Sequence, residues 1–394
     1  MAHAAFPRGT FAMRIRDGLG EIFADAEFAG LFARRGHPAL SPGFLAMVSV
    51  LQYTEGLSDR QAADAVRGRI GWKYCLGLEL HDSGFDASVL SEFRSRLVQD
   101  DQADRLLSRI LELLAGRQLL RAGGVQRTDA THVVANIRLL NRLELVVETM
   151  RATLEALAAA APGWLIAHTA VDWWERHERR ASDYRLPRTE ATRDALARTV
   201  GQDGRRLLAS VYAPYAPGWL REVPAVQVLR QVWVQQYQST GGGAYVLRPA
   251  GKLPPGSVSI GSPYNTEARY SIKRGMPWRG YKAHYTETAV PVRPRLIVHV
   301  ETTEASRADV ETTAGRHRAL MAAGLKPDEE LVDAAYVSVD HILTAAQHGI
   351  KLTGPLPPDS GWQARDPDAF DIRNFTIDWD HRHVTCPNGK ESRY

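Results

Sequence analysis

Apolar positions recur at helical spacing along the first third of the chain. Gly43–Glu55, Asp59–Arg67, Ser88–Gln99 and Asp104–Leu114 each place them at i, i+3 and i+4, which predicts short amphipathic helices between about residues 10 and 120. Ser58-Asp59-Arg60-Gln61 has the form of a capping box, a hydroxyl followed three residues later by glutamine, and predicts a helix starting at Asp59. Gly56, Gly68, Gly71, Gly77 and Gly84 punctuate the run. Short helices joined by tight turns are the material of helix-turn-helix modules, and equally of any small helical domain.

The pattern changes at Gly123-Gly124. Val125–Asn136 is β-prone, and an amphipathic helix is expected over Leu139–Ala160, with Leu140, Leu143, Val147, Met150 and Leu154 on one face. Residues 161–255 look mostly helical and irregular, are rich in arginine and tryptophan, and include the glycine run Gly241-Gly242-Gly243; they read as an insertion. Strands are expected at Ala268–Ile272, Gly280–Glu287 and Arg295–Glu301. A helix follows near Val310–Gly324, then a strand at Glu330–Val332, a helix at Val339–His348 and a strand at Ile350–Thr353. A last hairpin pairs Phe375–Trp379 with His383–Thr385. Strands, then helices, then strands indicate an α/β layer fold with a mixed sheet. The expected organisation is a helical domain over 1–120 and an α/β domain over 121–394, with the insertion at about 161–255.

Composition narrows the class. At 394 residues and 44% hydrophobic, the chain can bury a large core and is not disordered throughout. No apolar run approaches the ~20 residues of a membrane span, and the N-terminus has no apolar signal region, so a cytoplasmic protein is expected. Cys75 and Cys386 stand far apart, without a CxxC partner, and suggest neither a disulfide framework nor a thiolate zinc site. The net charge is +4, and 42 of the 49 basic residues are arginine, which forks phosphate oxygens better than lysine. Such a balance fits nucleic-acid binding, and equally the codon bias of a GC-rich genome. Arg176–Arg206 holds nine arginines against five acids, an excess equal to the net charge of the whole chain. The segment reads either as a DNA-contacting insertion or as a solvated helix with internal ion pairs.

Two aspartates stand out. Asp129 interrupts an early strand, where a charge is disfavoured unless it faces a site. Asp333 follows the apolar Leu331-Val332 at the end of a later strand, and ligands in open α/β sheets bind beyond strand carboxyl ends. Carboxylates there suit Mg²⁺, a hard cation that prefers oxygen. The alternative is that Asp129 caps a turn and Asp333 the next helix. The window Arg269–Tyr285 interleaves Arg269, Lys273, Arg274, Arg279 and Lys282 with Tyr270, Trp278, Tyr281 and Tyr285, and has no acid. On a hairpin around Gly-Met-Pro, the cations could track phosphates and the rings stack on bases; otherwise the aromatics face a core. His132, His284 and His299 sit in strand-like segments, where a structural role is the expectation. No P-loop, GxSxG or HExxH is present.

Five ordered stretches carry a resemblance: LSDRQAADAVRGRIGWKYCLGLEL (Leu57–Leu80), FDASVLSEFRSRL (Phe85–Leu97), QRTDATHV (Gln126–Val133), ARYSIKRGMPWRGYKAHYTET (Ala268–Thr288) and LVDAAYVS (Leu331–Ser338). Through them the chain resembles bacterial insertion-sequence transposases of the DDE type, which have an RNase H-like catalytic domain. The resemblance implies that Asp129 and Asp333 are catalytic and bind Mg²⁺ or Mn²⁺. It also implies DNA strand cleavage and transfer at transposon ends. The helical N-terminal part would bind the terminal inverted repeats of double-stranded DNA or hold a homo-oligomeric, nucleoid-associated complex together. Arg269, Lys273, Arg274, Trp278, Arg279, Tyr281 and Lys282 would lie near DNA. The third carboxylate of such proteins is a glutamate on a late helix. Here four residues follow Cys386–Lys390, and Glu391 is not assigned to that role. The expectation is therefore a truncated transposase, impaired alone, or a non-catalytic fragment that occupies transposon ends as a regulator.

Overall fold

The Ser58 capping box forms in full: the Ser58 hydroxyl accepts from the Gln61 amide, and the Gln61 side chain accepts from the Ser58 amide. The structure is a computed structural model that describes residues 1–31, 40–99, 102–135, 140–181, 186–240, 244–273, 275–291, 295–357 and 361–392. The chain divides into two units, Met1–Ala122 and Gly123–Tyr394.

The first unit is helical. Its elements are α1 (Ala2–Ala5), α2 (Phe11–Leu19), a 3-10 turn at Asp25–Leu31, α3 (Pro42–Thr54), α4 (Asp59–Gly68), α5 (Ile70–Leu76), α6 (Ser88–Gln99) and α7 (Arg105–Gly116). Phe23, Phe28, Leu45, Val48, Leu51, Trp72, Leu90 and Phe93 form its core. Each such side chain contributes roughly 1.5–3 kcal/mol on burial. Polar side chains fix how the helices meet. Asp59 accepts from Arg94 on α6 (2.6 Å) and from Gln52 on α3 (2.7 Å), and the Arg94 hydrogen bond holds its carboxyl below the usual range. Lys73 is buried and donates to the carbonyls of Asp82 (2.8 Å) and Glu79 (3.3 Å), satisfying its charge locally.

The second unit contains β1 (Val125–Val134), then α8 (Arg142–Ala160), α9 (Pro162–His168), α10 (Asp172–His177), α11 (Glu190–Val211) and α12 (Pro224–Gln236). There follow the short pair β2 (Tyr237–Ser239) and β3 (Tyr245–Leu247), β4 (Arg269–Lys273), β5 (Met276–Thr288) and β6 (Ile297–Glu304). The chain continues through α13 (Thr313–Ala322), β7 (Glu329–Leu331), α14 (Val339–Gln347), β8 (Lys351–Thr353), β9 (Thr376–Asp378) and β10 (His383–Thr385). The sheet is mixed, as expected from the order of strands and helices. Its order is β4-β5-β1-β7-β8, with β6 also on β5. β1 is antiparallel to β5 and parallel to β7, and β7 is parallel to β8. The outer edge of β5 is divided between two partners, β4 along its first half and β6 along its second. Where the partners change, Gly280 approaches β1 so closely that a Cβ would lie 2.1 Å from the Val133 carbonyl oxygen.

β1 alternates as a half-buried strand should: Gln126 and Thr128 are buried, while Arg127, Asp129 and Thr131 are exposed. The helices between β1 and β4 have a core of their own, running from Leu143 to Ile260 and including Met150, Leu157, Val200, Leu229 and Trp233. This cluster starts with α8 and not near residue 161. α8 is covered on most sides, which a single apolar stripe in the sequence does not reveal. α11 comes close to α12: a Cβ at Gly204 would lie 2.2 Å from the Trp233 ring. The Trp233 indole donates to the Gly201 carbonyl (3.0 Å), and the Tyr237 hydroxyl to that of Ala197 (2.8 Å). In the arginine-rich segment, Asp203 is buried and takes both Arg176 and His177 (3.1 Å), so part of the charge is spent within the fold. Gly241-Gly242-Gly243 lies outside the described residues.

Candidate active site

The register of β1 and β7 brings the two aspartates together. Gln126 pairs with Glu330 and Arg127 with Leu331. Two residues beyond the last of these pairs stand Asp129, still within β1, and Asp333, just past the end of β7. Both line one open cleft of about 270 Å³, together with His132, Lys273, Trp278, Lys282 and Asp309.

Each aspartate uses one oxygen on the backbone. Asp129 Oδ1 accepts from the Ala130 amide (2.7 Å). Asp333 Oδ1 accepts from the Ala335 amide (3.0 Å) and caps the 3-10 turn Ala334–Tyr336. Asp333 is therefore both a cap and a cleft residue; the two readings of it are compatible. Among the described residues neither aspartate has an ion-pair partner, which leaves carboxylate oxygens open to the cleft. Asp309, a third carboxylate on the same cleft, escaped the sequence reading. It begins the 3-10 turn Asp309–Thr312 after β6, and it accepts a 2.7 Å hydrogen bond from Lys282 Nζ, which also donates to the Arg307 carbonyl (2.7 Å). Among the described residues no group of three His, Cys, Asp or Glu side chains is placed to hold a metal ion.

A buried polar layer lies under the sheet behind the cleft. His284 on β5 is paired with Ala130 in the ladder and joins the Tyr336 hydroxyl through Nδ1 (2.7 Å) and the Thr303 hydroxyl through Nε2 (3.0 Å). Burial pushes its imidazole down to about 4. Burial also raises the Tyr336 hydroxyl, with the negative charges of Asp309, Asp333 and Asp129 adding to the effect. Glu330, fully buried on β7, accepts from Thr128 (2.6 Å), Arg316 (2.7 Å) and His317 (2.6 Å). Burial alone would raise its carboxyl, but the His317 and Arg316 contacts outweigh that and hold it at about 2. His132 stays near the cleft, edge-on to Trp278 at 4.3 Å.

The basic hairpin divides into two sets. Lys273, Trp278 and Lys282 line the cleft. Arg279 donates to the carbonyls of Ser259 (3.0 Å) and Ala268 (3.4 Å) and stacks near Tyr270, and burial lowers its guanidinium. The Tyr281 hydroxyl binds Asn265 (2.6 Å), and Arg269 donates to the Val258 carbonyl (3.1 Å). These three brace the hairpin against the loop before it. Arg274 lies outside the described residues. The turn itself is at Gly275, with Met276 and Pro277 already in β5 and not in a Gly-Met-Pro turn. Glu391 forms an isolated bridge with Thr385, beside His383 (3.8 Å). Cys75 is buried, and burial raises its thiol to about 11. No helix among the described residues is long and apolar enough to cross a membrane.

Residues 1–96 match the family described as Transposase domain (DUF772). No curated protein and no solved structure matches the chain. Over residues 1–96 the chain is thus similar to a transposase domain, and that likeness supports a transposase role.

Proposed function

We propose that the protein is an insertion-sequence transposase of the DDE type, with an RNase H-like catalytic domain in its second unit that cuts and joins DNA strands at transposon ends. The observation that carries the reading is that Asp129, within β1, and Asp333, just past the end of the parallel neighbour β7, line one cleft with lysines on its wall. The sheet supports it too: an antiparallel β1-β5-β6 run beside parallel β1-β7-β8 is consistent with an RNase H-like core.

The donor set fits magnesium. Mg²⁺ is commonly held by one or two carboxylates, with substrate phosphates and water completing its shell. Asp129 and Asp333 would hold Mg²⁺ or Mn²⁺ through the oxygens that the backbone does not use. When bound, the cation would activate a water or 3′-hydroxyl and offset charge on a phosphodiester. The chain's own part is to fix the two carboxylates on paired strands, and to offer Lys273 and Lys282 to phosphate oxygens. Trp278 walls the cleft. In this reading the helical unit recognises the terminal inverted repeats or holds copies of the chain together on double-stranded DNA.

The test uses duplexes cut from the DNA that flanks the gene, incubated with Mg²⁺ or Mn²⁺. Nicking by the wild type that disappears in Asp129→Ala and Asp333→Ala supports the assignment. Nicking that survives both substitutions overturns it. Specific retention of the flanking DNA in a gel shift without nicking would instead favour a regulator that occupies the ends.

A further inference from the structure

The tip of the β4–β5 hairpin carries side chains ill suited to a solvent turn. Ile272 is 59% and Met276 73% exposed, and Pro277 is exposed beside them. Across the ladder Ile272 pairs with Pro277 and Lys273 with Met276, so each face of the ribbon ends in an exposed apolar side chain. The root of the same ribbon is held firmly. Arg279 and Arg269 grip backbone carbonyls of the preceding loop, and Tyr281 grips Asn265.

The tip is continuous with the candidate site. Ser271, Ile272 and Lys273 line the cleft that Asp129 and Asp333 line. A strand advances about 3.4 Å per residue, so the end of β4 reaches ~7 Å beyond Ser271. That is about two nucleotide rises along a DNA strand, at roughly 3.4 Å each. A two-stranded ribbon is narrow enough to enter a DNA groove. The segment Arg269–Tyr285 has no acidic residue to repel a polyanion. Isoleucine, methionine and proline are among the side chains that proteins insert between base steps to kink or part a duplex.

We infer that the β4–β5 tip is a wedge for duplex DNA, with Ile272 and Met276 entering a base step within a few nucleotides of the phosphate held at the Asp129–Asp333 cleft. The inference rests on the DNA-cleaving reading of that cleft. A second copy of the chain is the other conceivable occupant. Three side chains at a ribbon end offer far less area than the ~800 Å² per partner of a standard interface, which favours DNA.

The experiment reads base stacking and needs no cleavage. Short blunt-ended duplexes from the gene's flanks carry 2-aminopurine at successive steps near one end, and fluorescence is followed as wild-type protein is added. Wild type should raise the signal at one or two adjacent steps. The rise should be lost in the Ile272→Ser/Met276→Ser double variant, checked for native circular dichroism, and restored by Ile272→Phe in the Met276→Ser background. Binding without a rise, or a rise that the double variant keeps, overturns the wedge while leaving the cleft assignment standing. If the double variant changes only the sedimentation of the DNA-free protein, the tip is a contact between copies and the wedge falls. If no flanking duplex binds at all, the transposase reading fails and takes the wedge with it.

Discussion

Thr128 Oγ1 donates a 2.6 Å hydrogen bond to Glu330 Oε1 across the β1–β7 pair, one residue before Asp129 and three before Asp333. The Thr286 hydroxyl, 2.8 Å away, then donates to Thr128 and extends the chain of bonds to β5. Glu330 also takes Arg316 and His317, so β1, which bears Asp129, and β7, which leads to Asp333, are clamped from the buried face. Glu330→Ala leaves Arg316 buried without its counter-charge. Breaking a buried pair in this way costs about 3–5 kcal/mol, read as a lower urea midpoint. An unchanged midpoint would show that the clamp is not structural.

His284 sets a pH dependence of opposite origin. Its folded value, about 4, lies below the ordinary 6.5, so between these values the unfolded chain binds more protons than the folded one. Stability should fall as pH drops from 6.5 towards 4, by up to about 3 kcal/mol, and this group adds no further loss below 4. In His284→Gln the slope of stability against pH in that window should flatten. A slope identical to wild type would place the proton uptake elsewhere.

Lys273 and Lys282 both line the cleft, and among the described residues only Lys282 of the two is paired with an acid, Asp309. Each lysine that neutralises a DNA phosphate contributes about 0.9 to the slope of log K against log salt. Lys273→Met should reduce the slope by about that much, and Lys282→Met by less. Equal reductions would mean that Asp309 releases Lys282 when DNA binds.

Gly280→Ala should be more damaging than its small change in volume suggests. The new Cβ would meet the Val133 carbonyl at 2.1 Å, and Gly280 pairs with Val134 at the end of β1. Overpacking of this kind costs about 1–3 kcal/mol, and here it also pushes on the strand that holds Asp129. A thermal midpoint equal to wild type would show that the strands can part without cost.

Local signals in the sequence carried over well. The Ser58 capping box and the β-prone run from Val125 depend only on neighbours along the chain, and both formed, the strand ending at Val134. Asp129 was legible as an acid inside a strand and Asp333 as one just past a strand end, yet their meeting on one cleft depends on the parallel pairing of β1 and β7, which no local pattern encodes. Asp309 was passed over because it sits in a turn, with only its partner Lys282, on another strand, to mark it. The basic hairpin left open whether its aromatics meet DNA or a core, and neither alternative shows that Arg279 faces inward onto carbonyls of a loop that sequence spacing does not bring near. α8 showed one apolar stripe, and the helices that cover its other sides come from residues far downstream.

Thr128 and Glu330 meet although 202 residues separate them, with the helical cluster from α8 to α12 lying between. On a ribosome adding about 5–20 residues per second, β1 emerges roughly 10–40 s before β7. For that interval Asp129 sits on a strand that lacks its parallel partner, although β5, its antiparallel one, is made before β7, and the helical cluster can close its own core meanwhile. The aspartate pair is thus assembled late in synthesis, and a nascent chain halted before β7 carries most of the cleft's lining but only one of its two aspartates.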